Sequence, residues 1–336
     1  MMQRMLRVLQ SACVAGMLLA GMLLARNALA QEQPAPTSSS SAPSGNLAAP
    51  SGNVPDIKVD VRLVNVFVNV SDQSGAPVAG LTRDDFLLSE DGKPQKIAVF
   101  ERESGVPLSI VLAVDTSGSV HRDMRLEVRA AKDFVHSMLR PQDEIELLEF
   151  DENVRERVPF TSNPRSIDNG LDRMERGSAT ALYNAIYLAS QSLAARPGTS
   201  PRRKVIVLVT DGDNTVRGMR YPQAVEQAQR AEAMVYSLII VPVMADAGRD
   251  TGGEHALIQM SRDTGGKYYY VEEPRDLERS FEQVSEDLRT EYLLGYYPST
   301  RDVDGSFRTI DVQMKDPALA AKYTLHHRIG YYPDGQ

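Results

Sequence analysis

At 336 residues the chain holds one large domain or two modest ones once any targeting segment is set aside. Hydrophobic residues make up 42%, which excludes wholesale disorder, and a net charge of −8 gives no general attraction to nucleic acid or anionic membranes. The single cysteine, Cys13, lies in an apolar N-terminal run, so a processed chain has no disulfide, thiol nucleophile or cysteine-based metal site.

Residues 1–30 read as a secretory signal peptide. Arg4 and Arg7 make a short basic start, Ala12 to Ala25 is apolar, and Ala28-Leu29-Ala30 is a small-x-small cleavage pattern. The apolar run is short for a bilayer span and Arg26 interrupts it. The mature chain is therefore expected to carry no stable transmembrane segment and to be exported, periplasmic or extracellular. A retained anchor is the alternative. Residues 31–55 are rich in Pro, Ser, Ala and Gly and read as a flexible tether, because they bury too little to offset the entropy of ordering.

A β segment, 56–104, comes next. Val59, Val61, Leu63, Val64, Val66, Val68 and Val70 form a mostly alternating run, and Asp72-Gln73-Ser74-Gly75 makes a turn. Glu90-Asp91-Gly92-Lys93 signals a tight hairpin between strands at Phe86-Leu87-Leu88 and Ile97-Ala98-Val99-Phe100. From 105 to 290 strand and helix alternate. Leu108–Val114, Ile145–Phe150, Val205–Val209 and Val235–Val241 are continuous apolar strands of the kind covered on both faces, with Tyr268–Val271 as a further one. Apolar positions repeat at helical spacing in Leu126, Ala130, Phe134, Met138, in Leu182, Ile186, Ala189, Leu193, and in Leu277, Phe281, Val284, Leu288. This predicts an α/β fold with a doubly wound, mostly parallel, Rossmann-like sheet. The last segment, 291–336, returns to strands at Tyr292–Tyr297, Phe307–Val312 and Tyr323–Leu325. Neither flanking segment has enough strands for a core alone, so the two are expected to pack as one small accessory β-sandwich.

The chemistry concentrates at strand ends. The first strand of the middle segment runs into Asp115-Thr116-Ser117-Gly118-Ser119, with Gly118 expected to relieve crowding in the turn. Val205–Val209 ends in Thr210-Asp211-Gly212, and Gly177-Ser178-Ala179-Thr180 precedes a helix. If the first and third of the apolar strands are neighbours, Asp115 and Asp211 meet at the carboxyl edge of the sheet, where open α/β folds bind ligands. Two carboxylates and three hydroxyls (Asp115, Asp211, Ser117, Ser119, Thr180) form an all-oxygen set suited to a hard cation such as Mg2+, with Mn2+ or Ca2+ less selectively matched. Six-coordinate Mg2+ would leave places for water or for an acidic group from outside.

Asp115-x-Ser117-x-Ser119, Thr180 and Asp211-Gly212 together resemble the metal-ion-dependent adhesion site of von Willebrand factor type A domains. The resemblance spans roughly 106–290 and includes Thr264-Gly265-Gly266-Lys267-Tyr268. It implies that the two serines and either the threonine or an aspartate contact the ion, the remaining groups acting through water. Gly295-Tyr296-Tyr297-Pro298 and Gly330-Tyr331-Tyr332-Pro333 are similar to segments flanking type A-related domains in a bacterial subgroup of exported proteins.

The plainer readings are these. Asp115, Ser117 and Ser119 suit a helix N-cap, which leaves the matching Thr180 and Asp211 unaccounted for. Thr210 is expected to be a local hydrogen-bonding partner, Asp151 a turn former, and Asp213 and Asn214 solvated loop residues. Glu254-His255 lacks a third ligand at zinc spacing, and His121, His136, His326 and His327 form no catalytic set. The expected function is a non-enzymatic adhesion or binding module whose cation engages an Asp or Glu of a protein partner. A metal-stabilised structural component of an envelope assembly is the alternative. A metal-dependent hydrolase is a weaker one, for want of a phosphate loop or a Ser-His-Asp arrangement.

Overall fold

The computed structural model describes residues 63–102, 105–118, 124–196, 202–241, 251–299 and 305–333, all within the compact unit Lys58–Gln336. The signal-peptide and tether segments, Ser119 and His121 lie outside the described residues. In chain order come β1 (Val64–Ser71), a single 3-10 turn (Arg83–Asp85), β2 (Phe86–Glu90), β3 (Lys93–Gln95) and β4 (Ile97–Arg102). Then follow β5 (Leu108–Asp115), α1 (Met124–Met138), β6 (Glu144–Phe150), β7 (Val154–Thr161), α2 (Pro164–Leu171), α3 (Leu182–Ala194) and β8 (Arg203–Thr210). The middle region closes with α4 (Tyr221–Arg230), β9 (Ala233–Ile240), α5 (Thr251–Thr264), β10 (Tyr268–Val271) and α6 (Pro274–Thr290). Last are β11 (Tyr292–Tyr296), β12 (Arg308–Met314), α7 (Pro317–Ala320), β13 (Thr324–His326) and β14 (Gly330–Tyr331).

The middle region folds around one six-stranded sheet, ordered β10-β9-β8-β5-β6-β7. β5 is a continuous apolar strand because both its faces are covered. Ile110, Leu112 and Val114 face a core closed by Phe134 of α1, Ile167 of α2 and Phe281 of α6, whereas Val111 and Ala113 face Leu182 and Ile186 of α3. Phe134 and Phe281 stack at 4.6 Å between ring centres. β5, β6, β8, β9 and β10 are mutually parallel, and β7 alone is antiparallel. The chain winds outward from β5 to β7, then returns to β8 on the other side of β5, so the winding direction reverses between β5 and β8. That is where an open α/β sheet forms a crevice at its carboxyl edge.

The flanking segments build two four-stranded sheets, β13-β1-β11-β4 and β14-β12-β2-β3. These share a core that includes Val66, Val68, Phe86, Leu88, Leu294, Ile310 and Val312. The tight turn at Asp91-Gly92 forms, with positive φ at both residues. Its return strand is Lys93–Gln95 rather than 97–100, however: β3 pairs with β2, and β4 crosses to the other sheet beside β11. The crossing buries Ile97 in the shared core from the opposite side. The two Gly-Tyr-Tyr-Pro segments converge. The hydroxyls of Tyr296 and Tyr331 both donate to Glu90 Oε2, at 2.5 and 3.0 Å, which satisfies a buried carboxylate.

β1 turns Asn65, Phe67 and Asn69 away from the sandwich core. Asn69 Nδ2 donates to Asp287 Oδ1 of α6 at 3.1 Å, and Asp287 also accepts from Lys267 Nζ at 2.6 Å and from the Tyr269 hydroxyl. Beside it, Arg203 pairs with Glu291 at 2.5 Å and donates to the Leu288 carbonyl, and its guanidinium lies 5.4 Å from the Phe67 ring centre. The sandwich thus docks where α6 ends and β8 begins, at the opposite end of the parallel strands from Asp115.

Candidate metal centre

Asp115 is the last residue of β5 and is fully buried. Its Oδ1 accepts the Ser117 N–H at 2.9 Å, which curls the chain into a turn, and its Oδ2 accepts the Thr210 hydroxyl at 2.7 Å. Burial lifts the Asp115 carboxyl to about 6. The hydrogen bonds from Thr210 and Ser117 act downward, and the charge of Asp211 adds to the rise. Thr210 closes β8, the neighbour of β5, and Asp211 follows it, so one strand end supplies both a hydrogen-bonding partner and a second carboxylate. Asp211 is itself buried, and its Oδ1 accepts from Asp213 N at 3.2 Å.

The third loop reaches the same rim through backbone hydrogen bonds. Gly177 N donates to the Thr116 carbonyl at 2.8 Å and Ala181 N to the Asp151 carbonyl at 2.7 Å, tying the 177–181 segment to the ends of β5 and β6. Thr180 is buried. Its N–H donates to Thr215 Oγ1 at 2.8 Å, and its carbonyl accepts from Thr215 N at 3.0 Å and Val216 N at 3.1 Å. The structure therefore gathers Asp115, Ser117, Thr180 and Asp211 on three loops that share hydrogen bonds, and Ser119 falls outside the described residues.

The glycine that matters for crowding is Gly177 rather than Gly118. A Cβ at Gly118 would meet only the Gly177 carbonyl oxygen, at 3.7 Å, whereas at Gly177 it would lie 2.2 Å from Asp151 Cβ. Asp151 itself makes the expected turn, accepting from Asn153 N at 2.7 Å, and holds Arg155 at 2.8 Å. Asn214 is a strap rather than a solvated loop residue: its Oδ1 accepts from Tyr183 N in the first turn of α3 at 3.3 Å, and its Nδ2 donates to the Val216 carbonyl. That helix has no side-chain bond from its own cap, Ala181, which is why a distant asparagine serves it. Three of the described histidines lie elsewhere, and His255 lies in the first turns of α5, whose Glu254 N packs near Gly212. His136 pairs with Asp168 at 2.9 Å, and His326 and His327 belong to the sandwich.

Among the described residues no three His, Cys, Asp or Glu side chains converge as a metal cluster. The donors at this rim are two carboxylates and neutral hydroxyls, all oxygen, and that chemistry fits a hard divalent cation. A cation would also offset the desolvation of Asp115 and its repulsion by Asp211.

Residues 110–214 match the sequence profile described as von Willebrand factor type A domain, a stretch running from β5 through Asp115, Thr180 and Asp211. Over those residues the α/β part of this chain is similar to von Willebrand factor type A domains. Solved structures similar in shape include a von Willebrand factor type A protein from Catenulispora acidiphila: 12% identical, covering 80% of this chain and 74% of that one, TM-score 0.46. The pilus adhesin SpaC from Lactobacillus rhamnosus GG is 14% identical over 73% of this chain and 47% of that one, TM-score 0.46. The von Willebrand factor domain of the type V pili tip protein Mfa5 from Porphyromonas gingivalis is 13% identical over 54% of this chain and 94% of that one, TM-score 0.44. No curated protein matches the chain. Among the described residues no helix is long and apolar enough to cross a membrane.

Proposed function

We propose that this chain is an exported, non-enzymatic binding module that engages an acidic side chain of a protein partner through a divalent cation, Mg2+ foremost. What supports the reading is the rim itself. Buried Asp115 is braced on one oxygen by Ser117 and on the other by Thr210, next to the loops carrying Thr180 and Asp211. Asp115, Ser117, Ser119, Thr180 and Asp211 would hold the ion, which supplies Lewis acidity toward an incoming carboxylate. The residues of the chain do the rest. Ser117 and the Thr210 hydroxyl fix the Asp115 carboxylate through hydrogen bonds to its two oxygens. Hydroxyl donors add no negative charge, so an anion from outside is not repelled by them.

Binding of an Asp-containing peptide is measured in Mg2+, in EDTA, and with Asp115→Ala. Binding that needs the cation and is lost in the variant supports the reading, and binding indifferent to both ends it. Phosphatase or esterase turnover that depends on Asp115 would replace it with the hydrolase alternative. Export predicts that the full chain appears in the envelope or culture fraction, shortened at Ala30.

A further inference from the structure

We infer that Thr215 is the positioning residue of the rim, holding Thr180 against the Asp211 loop before any cation arrives. The inference rests on the cation reading above and names what makes the site ready. Thr180 carries no charge and follows a short loop, so little local structure fixes it. Both of its backbone polar groups are nonetheless spoken for: its N–H by Thr215 Oγ1 at 2.8 Å, its carbonyl by Thr215 N at 3.0 Å and Val216 N at 3.1 Å. None of these bonds uses the Thr180 hydroxyl, the group that the cation reading needs as an oxygen donor.

Thr215 lies four residues beyond Asp211 on the same loop, so its clasp on Thr180 sets the spacing between a carboxylate and a hydroxyl that come from distant parts of the chain. Asn214 extends the clasp, joining Tyr183 N at the start of α3 to the Val216 carbonyl. Residues outside the coordinating shell that orient it typically change metal affinity by roughly 10–100-fold when removed.

The test measures Mg2+ and Ca2+ affinities by calorimetry for the full chain and for Thr215→Val and Thr215→Ser, with amide exchange at Thr180 followed in EDTA. Valine keeps the shape and removes the acceptor, and serine restores it. The expected result is a roughly 10–100-fold weaker Mg2+ affinity for Thr215→Val, with faster Thr180 exchange, and recovery in Thr215→Ser. Ca2+ tolerates irregular geometry, so its affinity falls less and the Mg2+/Ca2+ preference narrows. Equal losses for both ions would report a smaller folded fraction and overturn the positioning role. Wild-type Mg2+ binding with an unchanged Thr215→Val overturns this inference alone. A wild-type chain that binds neither ion overturns the cation reading and the inference together.

Discussion

Replacing Glu291 by Gln leaves the shape of the seam between sandwich and α/β domain intact and strands a buried cation. Arg203 and Glu291 are 3% and 1% exposed, and the carboxylate is held by the guanidinium at 2.5 Å and by the Tyr236 hydroxyl at 3.1 Å. Arginine cannot shed its proton, so the variant keeps a full charge in a dry site. Breaking a buried pair from one side costs about 3–5 kcal/mol. For a domain of this size each kcal/mol lowers Tm by about 2–4 °C, so the expected drop is about 6–20 °C. Arg203→Met is milder at low pH. Burial already pushes the Glu291 carboxyl upward, so it takes up a proton once its partner is gone, and the loss grows as pH rises. The double variant Arg203→Met, Glu291→Leu recovers most of the stability, because two apolar side chains need no counter-charge. The chain has no tryptophan, so melting is followed by far-ultraviolet circular dichroism, in EDTA to exclude cation effects. A Glu291→Gln melt within about 2 °C of wild type, or a double variant no better than the single, refutes the reasoning.

Glu146, buried against Ser192, is pushed up to about 7 by desolvation above all. Its contribution to stability is present below the unfolded-state value of 4.5 and is lost as pH rises through about 7, so Glu146→Gln is expected to melt about as wild type does at pH 4 and higher at pH 8. A difference that does not change with pH would count against this. Gly177→Ala forces a methyl into Asp151 and is expected to cost about 1–3 kcal/mol and to weaken Mg2+ binding, both read by melting with and without the ion. Unchanged melting would mean that the 177–181 loop moves away without loss.

The parallel strands were legible because β5, β8 and β9 are buried on both faces and so read as mostly apolar runs, and β6 keeps Ile145, Leu147, Leu148 and Phe150 although Glu146 and Glu149 interrupt them. β7 was not. Its sequence, Val154 to Thr161, intersperses Arg155, Glu156 and Arg157 with a proline, as suits an antiparallel edge strand with one half-exposed face. α4 escaped because the residues it buries, Ala224 and Ala228, give a weak apolar stripe against their polar neighbours. At the rim, Asp115, Thr180 and Asp211 could be read from strand ends and spacing. Thr215, Asn214 and Gly177 act through long-range hydrogen bonds and close approach, which leave no local pattern. The two Gly-Tyr-Tyr-Pro segments were singled out by resemblance, but their meeting at Glu90 depends on a sheet pairing that no short window contains.

β4 leads into the α/β domain and β11 leads out of it, and the two are paired neighbours with Arg102 opposite Tyr292. Entry and exit are thus fastened side by side. A pull on the two ends of the chain is carried through the sandwich ladders and must part β4 from β11 before any load crosses β5 or α6. The rim at Asp115, a strand's length away, would keep its shape while the protein is under tension.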